Sequence, residues 1–345
     1  MFVAAVNSFA SVFYEILSLS SQDAMTLCSL VLIVFVLYSW MFGFATGWWS
    51  TVDRIWSIAP ALYTVIFFSF HRENVRLLLM SILSVAWATR LSLNFARKGG
   101  FGNIEPTTED YRWGIVRGWV QKSFPPPLVK ISLELFHFAF VCTYQNILLF
   151  LLVVPVCLTA EAHPDKLIGV WDIVLGLSFL CLLLLEHITD EEQWAFQSRK
   201  HSMTPSQRQA AGGDFARGFC TNGVFRFSRH PNFFAEFSMW WVFSAFGIVC
   251  RDYHALDDVF HWDFMGAFLL TLLFQGSTQL TEAISASKYP AYLDYQNSTS
   301  RLLPWFPAVS HKTAPHPTSP SATPKSSKVK SQGARASSSS RRKPE

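Results

Sequence analysis

Seven apolar stretches dominate this 345-residue chain, at about residues 25–47, 54–70, 75–93, 131–158, 167–187, 234–250 and 262–282. Crossing a bilayer takes roughly 20 apolar residues per helix, and within the hydrocarbon every backbone polar group must be satisfied internally. The expected fold class is therefore all-α, a polytopic transmembrane helical bundle of about seven spans. The second and sixth stretches are short and rich in aromatic residues. Charged residues make up 15% of the chain, against roughly 25% in soluble domains, which excludes an ordinary water-soluble globule.

Charge orients the spans. Seven crossings place 23 of the 28 Lys and Arg residues on one side, in segments 48–54, 94–130, 188–233 and 283–345. The positive-inside rule makes that side cytoplasmic, the carboxyl terminus included. Residues 1–24 form an amino-terminal apolar segment whose first 20 residues lack a basic n-region and a small-residue cleavage site, so a secretory signal is not expected. The transmembrane domain covers residues 25–306. From 307 to 345 the composition turns to Ser, Pro, Lys and Arg, too polar to offset the entropy of ordering, and a disordered tail is expected. Most of the net charge of +4 sits there, so it argues for contact with membrane lipids and not for nucleic acid.

The six cysteines form no CxxC pair, and the ten histidines show no ligand spacing, so neither a disulfide framework nor a metal site is expected. Three polar clusters interrupt the apolar pattern. Asp53-Arg54-Ile55-Trp56-Ser57 reads equally as a helix cap with an interfacial Trp or as a ligand-facing group. Arg90 falls inside an apolar run and needs a partner, which Glu109 or Asp110 would supply. That pairing would either join helix to loop or hold an anion. Glu186, Asp190 and Gln193 lie three or four residues apart, on one helical face. They precede a loop with Gly212, Gly213 and Gly218, which reads as a flap. The stretch Asn222 to Glu236 then sets Arg226, Arg229, His230, Asn232 and Glu236 at the entrance of the next apolar run. Snorkelling arginines explain one or two of these, but not the Asn and Glu beside them. Acid face, glycine loop and basic entrance together read as a binding site for one polar molecule.

No Rossmann fingerprint, Walker A or GxSxG elbow occurs. Over about residues 50–306 the chain resembles the DUF1295 family, related to the steroid 5-alpha-reductases and more distantly to sterol reductases and isoprenylcysteine methyltransferases. The resemblance rests on Asp53 with Trp56 and Ser57, Trp87 with Arg90, and Glu109 through Trp113. It continues through Gln145, Glu186, Asp190, Gln193, Gly223 to Glu236, Trp240, Trp241, Glu282 and Tyr295. The steroid reductase pattern is similar to Gly223–Glu236 without a gap, with identities at Gly223, Phe225, Pro231, Asn232 and Glu236. Ala235 replaces the family glycine, and Phe233 replaces a common tyrosine and so supplies no hydroxyl.

The resemblance implies an NADPH-dependent oxidoreductase of the endoplasmic reticulum membrane. Its reaction would be hydride transfer to a carbon–carbon double bond conjugated to a carbonyl, in a steroid or other apolar lipid. The implied cofactor-binding residues are Glu186, Asp190, Gln193, Asn222, Arg226, Arg229, His230, Asn232 and Glu236. In the reductases a Tyr/Glu pair polarises the carbonyl. The family tyrosine falls near Trp87, which has no phenol, and Tyr111 with Glu109 is the substitute expected here. Two alternatives stand beside this reading. One is a methyltransferase sharing the Arg229-His230-Pro231 corner and using S-adenosylmethionine on a prenyl-cysteine. The other is a non-catalytic lipid-binding or scaffold protein, which would need neither Asn232 nor Glu236.

Overall fold

The computed structural model describes residues 23–104, 109–161, 167–250 and 262–308. Helices run as α1 (Ala24–Thr46), α2 (Thr51–Trp56), α3 (Ala59–Phe70), α4 (Val75–Arg97), α5 (Tyr111–Ser123) and α6 (Pro126–Phe136). A π-helical segment, His137–Tyr144, carries α6 into α7 (Gln145–Leu151) and α8 (Val154–Glu161). Then follow α9 (Val170–Ser202), α10 (Pro205–Ala211), α11 (Gly213–Arg217), α12 (Pro231–Val249), α13 (Met265–Lys288) and α14 (Tyr292–Ser298). No strand occurs among the described residues.

Local chemistry sets the helix ends. Asp23 caps α1 by accepting from the Met25 and Thr26 amides at 3.0 and 3.2 Å, and Asn74 caps α4 through the Leu77 amide at 3.1 Å. Pro231 opens α12, where its missing N–H is no loss. Among the described residues, five helical stretches are long and apolar enough to cross a membrane: Ala24–Thr46, Val75–Arg97, Pro126–Glu161, Val170–Ser202 and Pro231–Val249. The expected count of seven is not reached by that measure, for two physical reasons. The chain turns at Ser57 and Ile58, which leaves α3 only 12 residues, or about 18 Å at 1.5 Å per residue. The 24 residues of α13 are long enough, but Gln275, Thr278, Gln279 and Glu282 dilute their apolar character. The expected tail lies beyond Ala308, outside the described residues, as does nearly all of the 1–24 segment.

The core is aromatic. Trp87, Trp240, Tyr63, Phe179, Phe243 and Phe246 are fully buried, and α9 and α12 form the most extensive helix pair. Trp87 and Trp240 meet edge to face at 4.9 Å, an arrangement that favours the ring quadrupoles. At the end of the bundle where α4 and α9 begin, Arg76 grips Asp172 through two bonds of 2.5 and 2.9 Å. The opposite end, where α4 and α9 finish and α12 begins, carries the polar clusters.

Candidate functional site

A cavity of about 970 Å³ opens among the helices at that polar end. Its walls come from α2, the last turns of α4, the start of α5, the α6–π-helix junction, α9, the first turns of α12, and α13. One wall is polar, built from Asn94, Glu186, Asp190, Asn232 and Glu236. Apolar side chains, with Trp56, Trp113, Phe136, Phe140, Leu273 and Phe274 prominent, line the rest together with Asp53, Asp110, Arg112 and Ser277.

Arg90 organises the polar wall. Its guanidinium lies 2.8 Å from Glu186, 2.6 Å from Asp190 and 3.9 Å from Glu236. This corrects the expected pairing of Arg90 with Glu109 or Asp110, because both of those carboxylates are held by nearer arginines. Asn94 donates to Asp190 at 2.6 Å. Glu236 receives two indole N–H bonds, from Trp87 at 2.9 Å and Trp240 at 3.0 Å. The Trp87 indole, where the resemblance to the reductases would put a tyrosine, therefore holds a carboxylate. Three carboxylates share one guanidinium, so hydrogen bonding to neutral donors carries much of the stabilisation.

Asp53, Asp110 and Arg112 line the cavity from α2 and α5. Asp53, for which a cap and a ligand-facing role stood equally open, lines the cavity, and Ser50, not Asp53, occupies the α2 cap position. Burial among the surrounding side chains pushes its carboxyl up to about 6, against the pull of Arg112. Arg112 binds Asp110 through bonds of 2.9 and 2.8 Å and reaches Ser277 of α13 at 3.2 Å. The paired guanidinium lowers the Asp110 carboxyl despite its burial, and Asp110 in turn raises Arg112.

The expected catalytic pair is not brought to the cavity. Tyr111 is 58% exposed and absent from the lining. Glu109 is spent on Arg117, at 2.6 and 2.7 Å, and on the Trp49 amide at 2.7 Å. Of the nine expected cofactor residues, Glu186, Asp190, Asn232 and Glu236 converge on the cavity and five do not. Arg229 forks onto Glu282 at 2.6 and 3.0 Å and donates to the carbonyls of Gln296, at 2.8 Å, and Thr299. His230 also bonds Glu282, at 3.0 Å. Asn222 donates to Asp214 at 2.7 Å, Arg226 is exposed, and Gln193 is half-buried away from the lining.

The glycine loop does not close over the cavity either. Residues 204–222 fold into α10, α11 and a turn held by Asp214, which accepts from Thr221 and Asn222, and none of them lines the site. Gly223, at φ 60°, packs against the Glu192 carboxylate, which accepts from the Val224 amide at 3.0 Å. A Cβ there would displace the Glu192 carboxylate, and the left-handed backbone favours glycine independently.

Asn94 and Lys98 were missed, although a signal for them exists. Trp87, Arg90, Asn94 and Lys98 recur at three- and four-residue steps, so one face of α4 carries them all. A charged residue inside an apolar helix calls for reading the rest of its face.

Residues 39–299 match the model of a family described as a protein of unknown function, DUF1295. An uncharacterized protein of Schizosaccharomyces pombe is 33% identical over 264 residues, covering 74% of this chain and 72% of the yeast protein. No solved structure matches. With the family model spanning well over half of its length, the chain belongs to the DUF1295 family.

Proposed function

We propose that the protein is an NADPH-dependent membrane oxidoreductase that reduces a carbon–carbon double bond conjugated to a carbonyl in a steroid or another lipid. One observation carries this reading. Glu186, Asp190, Asn232 and Glu236, read from the sequence as dinucleotide contacts, line from α9 and α12 a cavity to which α2, α5, α6, the π-helical segment and α13 bring many aromatic and aliphatic side chains. A water-soluble redox cofactor and a lipid need polar and apolar lining in one site.

The residues present fit the cofactor's two ends differently. Carboxylates and Asn232 suit sugar hydroxyls and a carboxamide, which donate hydrogen bonds. Lys98, just past the end of α4, is a lining cation that makes no ion pair among the described residues, unlike Arg112, and suits a phosphate. Bound there, the dinucleotide would supply a hydride. Arg90 orients the carboxylates, the two indoles fix Glu236, and burial raises the Asp53 carboxyl toward neutral pH. The excess of carboxylates over cations favours one second reading, a methyltransferase binding the cationic S-adenosylmethionine.

Thermal melting of the purified protein with NADPH, NADH or S-adenosylmethionine tests both. A cofactor at 100 times its Kd stabilises by about 2.7 kcal/mol, so NADPH is expected to raise the melting temperature. Asn232→Ala should weaken that response by roughly tenfold in affinity, the effect of losing about 1.4 kcal/mol of hydrogen bonding. A response to S-adenosylmethionine alone would replace the reductase by the methyltransferase. No response to any of the three leaves the lipid-binding scaffold.

The proposed setting is the endoplasmic reticulum membrane, crossed seven times, with the stretch 54–70 that contains α3 and with α13 as the two additional spans, and the basic end cytoplasmic. Glycosylation acceptors engineered into residues 309–345 are then expected to stay unmodified in cells. Lumenal glycosylation of those sites would reverse the orientation.

A further inference from the structure

Phe268, Leu272, Gly276 and Gln279 form one exposed face of α13, and of these Leu272 and Gly276 also line the cavity. The cavity therefore reaches the exposed face of α13 at these two positions. The α6 side of the cavity carries Phe136, Phe140 and Tyr144, whose rings stack in one column at 5.1 Å and 27°, then 5.3 Å and 8°. The π-helical segment holds that column, and π-helical turns recur at functional sites. Further along, α13 packs against α7, so the seam is closed at its lower end. Beside Gly276, Ser277 takes the bond from Arg112, whose other nitrogens are committed to Asp110. A phosphate headgroup in the seam would meet no free guanidinium. A second opening, at exposed Lys98 and Gly99, is polar.

We propose that the seam between α13 and the π-helical segment is a lateral entrance for a neutral lipid without a phosphate headgroup, whose apolar body lies along the Phe136–Phe140–Tyr144 column. The polar opening at Lys98 serves the water-soluble ligand. The two ligands thus approach the cavity from different solvents. This inference rests on the proposed membrane placement of α13 and on the lipid half of the functional reading, not on which cofactor binds.

Gly276 makes the entrance testable, because a Cβ added there meets nothing within 4 Å. Gly276→Phe therefore places a ring in the seam without forcing the backbone. Wild type and variant are reconstituted in nanodiscs with a diazirine-bearing diacylglycerol, a diazirine-bearing sterol or a diazirine-bearing phosphatidylcholine. Labelled peptides are then mapped by mass spectrometry. The neutral probes are expected to label 136–144 and 272–280. In Gly276→Phe that labelling should fall at least about tenfold, the equivalent of about 1.4 kcal/mol of exclusion. Labelling of Ile33, Leu37 and Met41, on the exposed face of α1, should stay constant in both proteins. Equal seam labelling in the variant, or phosphatidylcholine labelling the seam as strongly as the neutral probes, overturns the proposal. Should Gly276→Phe not fold, Leu272→Trp at the same opening replaces it with the same expected outcomes. An NADPH melt on the same samples separates the two readings. Seam labelling lost with the NADPH response intact supports the entrance, whereas wild type that labels at the seam without any NADPH response counts against the cofactor alone.

Discussion

Arg90→Met is expected to destabilise the protein by about 3–5 kcal/mol, the usual consequence of removing one partner from a buried ion pair. The magnitude follows from what is left behind. Arg90 is the guanidinium in contact with Glu186, Asp190 and Glu236, and the side chains on both sides of these pairs are 10% exposed or close to it. Without it, three carboxylates face one another in a poorly solvated wall. Methionine keeps most of the stem's packing, so the loss reports charge and not volume. Chemical unfolding in lipid–detergent micelles measures it. A second measurement guards against a nonspecific defect: Glu186→Gln with Asp190→Asn, placed in the Arg90→Met background, should recover part of the loss by removing the orphaned charges. Arg90→Lys should fall between, since an ammonium keeps the charge but cannot fork to two carboxylates. Arg90→Met melting within about 0.5 kcal/mol of wild type, the range of ordinary surface substitutions, would mean that the wall does not depend on Arg90.

What could be read from the sequence depended on the distance over which its cause acts. Helical spans are written locally, in runs of Leu, Phe and Val, and α1, α4, α9 and α12 fall where those runs do. The break between α2 and α3 is not, because Ile55, Trp56, Ile58 and Ala59 stay apolar across the turn. The π-helical segment leaves no compositional mark either: Phe136, Phe140 and Tyr144 have ordinary helical spacing. In the site, Glu186, Asp190, Asn232 and Glu236 were legible because a polar group within or beside an apolar run has few reasons to be there. Their partner was not. Arg90 meets Asp190 across a hundred residues of sequence, whereas the nearby Glu109 and Asp110 looked equally suitable until Arg117 and Arg112 claimed them. Sequence gives the need for a counter-charge, and tertiary packing chooses which one answers it.

Arg229 separates the two kinds of information most sharply. As a cation before an apolar helix it reads as a dinucleotide contact, and Arg229→Ala would then leave folding unchanged and weaken NADPH roughly ten- to a hundredfold, the 1.5–3 kcal/mol of a charge-assisted bond. The structure leads to the opposite expectation. Arg229 binds both oxygens of Glu282, which also receives His230 and Gln296, and it gathers the Gln296 and Thr299 carbonyls. The backbone follows suit, with the Arg229 and His230 amides bonded to Ser300 and Arg301 at 2.9 and 3.1 Å, and Ser228 bonded to Leu302 at 2.8 Å. One guanidinium therefore fastens the segment after α14 to the start of α12 and the end of α13. Arg229→Ala is expected to cost about 3–5 kcal/mol by leaving Glu282 buried without its partner. Glu282→Gln should be destabilising for the same reason, although Glu282 does not line the cavity. Arg229→Met combined with Glu282→Leu removes both charges and should regain part of the loss, as apolar replacements of buried pairs do. Melting curves of the three variants, with NADPH titrated into whatever remains folded, decide the matter. If Arg229→Ala melts like wild type and loses only cofactor affinity, Arg229 belongs to the binding site. If stability falls while the folded fraction still responds to NADPH, Asn232 and Glu236 sit at the cofactor because Arg229, a few residues earlier, anchors the helix that carries them.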